Sequence, residues 1–247
     1  LHEPVPNMFK PTLALTLLLF VLAALFASLG YWQLQRKAEK AALFDQFENA
    51  PALDIARAVA EGHRFARVDG FGRFDTERHL LVDNRTLNGR VGVHVLTPFI
   101  LGDGRVILVN RGWLPLAPDR SSLPEVPTDG ASRTIRGRLN RLETDGPRLG
   151  EPDRLDPRRW PQLVTYLDRK PLEEALGTAL PPWVVQLDAD QPGGFGDRSW
   201  KAAVMPPETH GAYAVQWFAL SIAALIIWGT MSYRNGGRHE GTNEEDA

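Results

Sequence analysis

Residues 12–32 (TLALTLLLFVLAALFASLGYW) and residues 213–233 (YAVQWFALSIAALIIWGTMSY) contain no charged side chain. Each stretch is 21 residues long, which is about the length that a helix needs to cross a hydrocarbon core of roughly 30 Å. The chain as a whole has a mean hydropathy of only −0.23, because a long polar segment separates the two stretches. The sequence therefore predicts two transmembrane helices that flank a large water-facing domain.

The first stretch is expected to be an uncleaved anchor, with a cleaved signal peptide as the alternative. It is longer than the apolar core of a typical signal peptide, and no Ala-x-Ala cleavage site follows it. We place the transmembrane helix at residues 12–34, after a tail at residues 1–11. The helical spacing of apolar residues continues through residues 33–48, which predicts that the same helix runs on as far as Pro51.

The second stretch predicts a transmembrane helix at residues 210–233, followed by a disordered polar tail at residues 234–247. The charges beside the two helices disagree about orientation. Basic residues after the first helix would place the middle domain, residues 35–209, in the cytoplasm, whereas basic residues beyond the second helix favour the other side. Because the positive-inside rule loses force for long translocated segments, these residues leave the orientation open.

The middle domain has the pattern of short strands joined by tight turns. Asn88-Gly89 is a strong hairpin signal between two apolar runs, and Gly102-Asp103-Gly104 marks the next turn. These turns predict a three-stranded antiparallel meander. Further strands are expected at residues 133–142, 163–168 and 183–187, with a short helix at 172–180 and a Gly-rich, exposed segment at 191–200. The fold class is therefore an α+β membrane protein, in which two transmembrane helices flank an antiparallel β-sheet or small barrel with minor helices.

The composition excludes several classes of function. The chain has no cysteine, which excludes thiol catalysis, Cys-x-x-Cys metal sites and covalently attached haem. A net charge of −2 gives no reason to expect nucleic acid as a partner. No hydrolase, nucleotide or metalloprotease motif is present, and the glycines at residues 70–74 are more consistent with a strand bend than with a phosphate loop. We therefore expect a protein that is not an enzyme.

Asparagine and arginine side chains follow two predicted strands in a similar way. Asp83-Asn84-Arg85 comes after one strand, and Asn110-Arg111-Gly112-Trp113 comes after another that is expected to end at Asn110. An arginine fork could bind a carboxylate or a partner protein at such a position. Alternatively, these side chains could only hold loops in place. The sequence alone favours this second interpretation.

His210 stands directly before the second apolar stretch, just after Pro206-Pro207, where proline suits the start of a helix. On a helix, His210, Tyr213, Ala214 and Trp217 share one face. Imidazole is a common axial ligand of haem iron, and aromatic side chains suit the faces of a macrocycle. The spacing alone favours an interfacial histidine within an aromatic belt, with the haem ligand as the alternative that stays open.

Four segments, in this order along the chain, are similar to the surfeit locus protein 1 family, whose members are assembly factors for cytochrome c oxidase. They are residues 29–37 (LGYWQLQRK), 92–99 (GVHVLTPF), 109–115 (VNRGWLP) and 210–218 (HGAYAVQWF). The resemblance extends from about Leu29 to Tyr233, nearly the whole chain. It implies two transmembrane helices in the inner membrane, with the large domain, residues 35–209, in the periplasm and both termini in the cytoplasm.

The resemblance also implies a cofactor and partners. Bacterial members are proposed to bind haem a themselves and to assist its insertion into subunit I, the oxidase catalytic subunit, so haem a synthase is a further expected partner. The family's haem-linked histidine corresponds to His210, which would ligate the iron, with Tyr213 and Trp217 as packing walls. The alternative is a scaffold that binds no haem and stabilises the catalytic subunit during assembly. A two-helix sensor is a more distant alternative, for which the short tail after Tyr233 offers no signalling module.

Overall fold

The computed structural model describes residues 12–142 and 153–236, with the side chains of 234–236 left aside. These residues form two compact units, one made of residues 12–45 with 202–236 and the other of residues 46–142 with 153–201. The expected tail at 1–11 lies outside the described residues, as do residues 237–247 of the tail expected at 234–247. The elements within them are α1 Leu13–Glu48, β1 Ala52–Asp54, α2 Ile55–Glu61, β2 Arg67–Phe74, β3 Leu80–Leu87, β4 Arg90–Leu101, β5 Val106–Pro115, β6 Arg133–Arg141, β7 Gln162–Val164, α3 Arg169–Leu176, β8 Trp183–Leu187 and α4 Pro207–Gly236.

The first unit is a pair of long helices, α1 and α4, each long and apolar enough to cross a membrane. Large apolar side chains project outward along both helices, as expected of surfaces that face lipid. Between the helices, Ser221 Oγ donates a hydrogen bond of 2.8 Å to the Ala23 carbonyl oxygen. Gly30 lies against the Phe218 ring, where an added Cβ would come within 2.9 Å of ring carbons. Small residues thus allow the two backbones to approach closely.

The second unit is built on a five-stranded closed barrel. The ring of paired strands runs β2–β6–β8–β5–β4 and returns to β2. Its closing pair joins Gly72–Phe74 of β2 to Phe99–Leu101 of β4. At Gly72 an added Cβ would lie 2.2 Å from the Ile100 carbonyl oxygen, so only glycine lets the two strands meet there. Outside the ring, β3 pairs with β4, β7 with β3 and β1 with β2.

Two apolar clusters hold this unit together. The first takes buried side chains from all five barrel strands, including Val68, Phe99 and Val185, and α2 adds Ile55 and Ala58. The second lies on other faces of β3, β4, β5 and β8, where α3 covers them with Leu172 and Leu176 among others. Because both faces of the central strands are buried over most of their length, apolar residues predominate in β4 and β5.

The structure confirms the predicted fold class and the predicted meander β3–β4–β5. Some element bounds differ. The strand predicted at 163–168 is only Gln162–Val164, and α3 begins earlier than expected. The short elements β1 and α2 were missed, because three to seven residues carry too little periodicity for a prediction. α4 continues to Gly236, three residues into the segment predicted as a tail, whereas α1 continues to Glu48, close to the expected end at Pro51.

Candidate functional site

His210 lies in the first turn of α4, on the side of the helix that packs against α1. The helix starts at Pro207, whose missing N–H costs nothing at a helix N-terminus. The same side of α4 carries Ala214 and Ser221, which are both buried. His210 is itself only 9% exposed. The helical spacing that predicted a shared face on α4 therefore also places His210 on the side that packs against α1.

Gln33 of α1 holds the His210 ring in a defined orientation. The Nδ1 atom of His210 lies 2.9 Å from Gln33 Oε1. An amide oxygen only accepts hydrogen bonds, so Nδ1 carries the proton and donates. With the proton of a neutral imidazole on Nδ1, the lone pair would be on Nε2, and this atom is buried without a hydrogen-bond partner among the described residues. A fixed tautomer with a free Nε2 is the arrangement typical of a metal-ligating histidine.

The other two predicted site residues lie at different positions on the helix. Trp217 is half-buried and stacks on Phe26 of α1, with ring centroids 5.7 Å apart and an interplanar angle of 27°. Tyr213 lies at the margin of the α1-facing side, and its side chain is 45% exposed. The structure thus brings His210 and Trp217 to the contact between the helices and leaves Tyr213 at its edge. Their role toward a cofactor stays a prediction.

A single histidine suits one kind of metal group better than others. Within residues 12–142 and 153–236 no group of three or more His, Asp or Glu side chains could hold a bare metal ion. A haem iron already has four nitrogen ligands from its macrocycle, so one imidazole is enough to hold it. The donor set around His210 is therefore compatible with haem and poor for an isolated ion.

The Arg111 side chain links two loops through hydrogen bonds. The strand β5 runs on to Pro115, so residues 110–113 lie within it and do not follow its end as predicted. Gly112, at φ +110°, lies in a local irregularity of this strand. The Arg111 guanidinium is only 1% exposed and donates to the carbonyl oxygens of Gly193 and Pro127 and to Thr128 Oγ1. Burial lowers the pKa of Arg111 to about 10.

Five of the ten residues in the glycine-rich segment at 191–200 are exposed, as predicted, whereas Phe195 packs against β5. Its ring lies 4.5 Å from the Arg111 guanidinium carbon. Its backbone exchanges hydrogen bonds with β5, since the Phe195 N–H donates to the Arg111 carbonyl oxygen at 2.6 Å and its own carbonyl accepts from Trp113. The segment is thus packed onto the barrel.

Gln33 is the residue that reasoning from the sequence missed. It lies within the segment 29–37 that resembles the family, but its position alone assigns it no role. Nothing in a single sequence pairs it with a side chain 177 residues away. The signal that the sequence offered for Gln33 was its character as an uncharged amide at the polar end of an apolar helix.

Comparisons with known proteins agree with the resemblance. A sequence model described as the SURF1 family matches residues 20–222 of this chain. A SURF1-like protein of Monosiga brevicollis is 28% identical over 228 residues, which cover 85% of this chain and 84% of the relative. Surfeit locus protein 1 of Xenopus tropicalis is 27% identical over 249 residues, covering 92% and 78%. An uncharacterized SURF1-like protein of Mycobacterium tuberculosis is 25% identical over 221 residues, covering 84% and 78%.

Proposed function

The chain belongs to the SURF1 family, and we propose that it is a cytochrome c oxidase biogenesis factor that binds haem a and assists its insertion into subunit I. The observation that carries this proposal is the buried Nε2 of His210, which has no partner among the described residues, on a ring whose Nδ1 is hydrogen-bonded to Gln33. We propose a carrier and not an enzyme, with haem a synthase as the donor of the group and subunit I as its acceptor.

Each residue of the site has a separate task in this proposal. Haem a would supply an iron that a single imidazole of this chain can ligate. His210 provides the Nε2 lone pair, and Gln33 keeps the ring in the tautomer and orientation that expose this lone pair. Trp217 and Tyr213 provide apolar contact. Because the chain has no cysteine, the group is held without a thioether bond and can be passed on.

The proposed topology has both termini in the cytoplasm and the barrel unit in the periplasm. Since the chain lacks cysteine, single cysteines report their own location. We expect Ser132→Cys, in an exposed stretch before β6, to react with a membrane-impermeant thiol reagent in spheroplasts. Thr242→Cys should react only after the membrane is permeabilised. The reverse pattern would contradict the topology.

The functional proposal is tested on the unmodified protein. We expect the chain purified from cells that make haem a to show the absorption bands of that haem, and the chain from otherwise identical cells without haem a synthesis to lack them. A protein that restores oxidase assembly but carries no haem in either case would refute haem binding and support the scaffold alternative.

A further inference from the structure

Arg85 of β3 is a half-buried cation for which the described part of the chain provides no partner. Among the described residues its guanidinium makes no hydrogen bond and no ion pair, and its Nε is fully buried. Burial lowers the pKa of this arginine, although the group stays charged at neutral pH. The nearest carboxylate in sequence, Asp83, is already engaged by Arg120 Nε at 2.8 Å. A buried charge without a counter-charge is costly, so an anion from outside the chain would stabilise it.

His94 of β4 offers a hydrogen-bond donor on the same face of the sheet. Arg85 pairs with Gly92 across β3 and β4, and His94 lies two residues further along β4, where side chains return to the same face. Its Nδ1 lies 3.3 Å from Asn110 Nδ2. Because an amide nitrogen donates, Nδ1 accepts and the proton of the neutral ring is on Nε2. This Nε2–H has no hydrogen-bond acceptor in the part of the chain that the structure describes.

The histidine is held in its neutral form. Burial and the charge of Arg85 lower the pKa of His94 to about 4. The pair therefore presents a single positive charge, on Arg85, together with one neutral donor.

Two tryptophans complete the surroundings of this pair. Trp113 pairs with His94 across β4 and β5, and its ring occupies the space that a Cβ on Gly92 would need, within 2.4 Å of that position. Trp200 meets the His94 ring edge to face, with centroids 5.8 Å apart. The donors of Arg85 and His94 thus lie beside aromatic side chains that limit the access of water, which strengthens a charge-assisted hydrogen bond.

We propose that Arg85 and His94 form a binding site for a carboxylate group. The guanidinium presents parallel N–H groups that match the two oxygens of a carboxylate, and the His94 Nε2–H adds a further donor. A single positive charge matches a monoanionic carboxylate better than a doubly charged phosphate. The carboxylate could belong to a small acid or to an acidic side chain of a partner protein, and the experiment below separates these sources. The site lies wholly in the barrel unit, and the inference does not depend on haem binding.

The test is an NMR titration of the full chain, labelled with ¹⁵N-arginine, in detergent micelles. The Nε–H resonance of Arg85 is assigned as the one that is missing in Arg85→Gln. Three probes are added: acetate, a capped peptide with a single glutamate, and methyl phosphate. We expect a saturable shift of the Arg85 resonance with both carboxylates and a weaker response to phosphate. Equal affinity of the two carboxylates would indicate a small acid, and tighter binding of the peptide would indicate a protein carboxylate.

Two variants separate binding from structure. Arg90→Gln removes an exposed arginine of the same hairpin and should leave the acetate response of Arg85 unchanged. Arg85→Met keeps the apolar stem and should leave the melting temperature of the barrel unchanged or raise it, because no internal partner is lost. No saturable shift with either carboxylate, a stronger response to phosphate, or a clear loss of stability in Arg85→Met would each overturn the proposal.

Discussion

Replacing His210 by alanine is expected to leave the purified protein without haem a. Among the residues that the structure describes, the substitution removes the one imidazole at the contact between α1 and α4, and with it the buried Nε2 atom. Loss of a group that only orients a metal ligand typically costs 10–100-fold in affinity, so loss of the ligand itself should lower the affinity for haem by at least about 100-fold, and the haem-to-protein ratio should fall with it. The ratio is measured by absorption spectroscopy after purification from cells that make haem a.

A graded variant and a control accompany this measurement. Gln33→Leu leaves the imidazole in place but removes its hydrogen-bond acceptor, so we expect haem affinity to fall by about tenfold or more and the haem spectrum to persist. His63→Ala removes an exposed histidine that pairs with Glu61 in the barrel unit, and it should retain full haem content. Equal haem in His210→Ala and wild type would show that another residue holds the iron.

Replacing Arg111 by alanine is expected to cause the largest loss of stability. The side chain bonds to Gly193, Pro127 and Thr128 from three sides and lies against the rings of Phe74 and Phe195. Each buried acceptor that loses a charged donor costs about 1–3 kcal/mol, and the two cation–π contacts add to this sum. We expect the barrel unit to lose about 3–5 kcal/mol of unfolding free energy.

The measurement is the urea midpoint of the barrel in the full-length protein, followed by tryptophan fluorescence. Arg90→Ala is the matched control, because its side chain is exposed and surface substitutions usually change stability by less than about 0.5 kcal/mol. Arg111→Lys should fall between the two, since one ammonium cannot replace a fork that reaches several acceptors. A urea midpoint for Arg111→Ala equal to that of wild type would contradict the stabilising role of Arg111 as a side chain that links two loops.

Local chemistry made much of the fold predictable. The Asn88-Gly89 signal predicted a hairpin, and both residues have positive φ, at +50° and +76°, as a tight primed turn requires. The uncharged runs predicted α1 and α4, because length and apolarity alone define a candidate span. Features of this kind depend on a few adjacent residues and are therefore visible in one sequence.

Long-range pairings were not predictable. The barrel closes where Gly72 meets Ile100, and neither residue indicates its partner. The same holds for Gln33 and His210, which become a site only when two helices pack side by side. Arg111 was ambiguous for a related reason: an arginine near a turn has the same local sequence whether it binds a ligand or holds loops, and only the acceptors around it distinguish the two.

We propose that His210 would supply the nitrogen that ligates the iron of haem a, and this is the central point of the proposed function. It is tested most directly by His210→Gly, which removes the imidazole and leaves space for a replacement. We predict that this variant is purified without haem a and that free imidazole, added together with haem a, restores an imidazole-ligated haem spectrum. Wild-type haem content in His210→Gly without imidazole, or no recovery of that spectrum when imidazole is added, would contradict it.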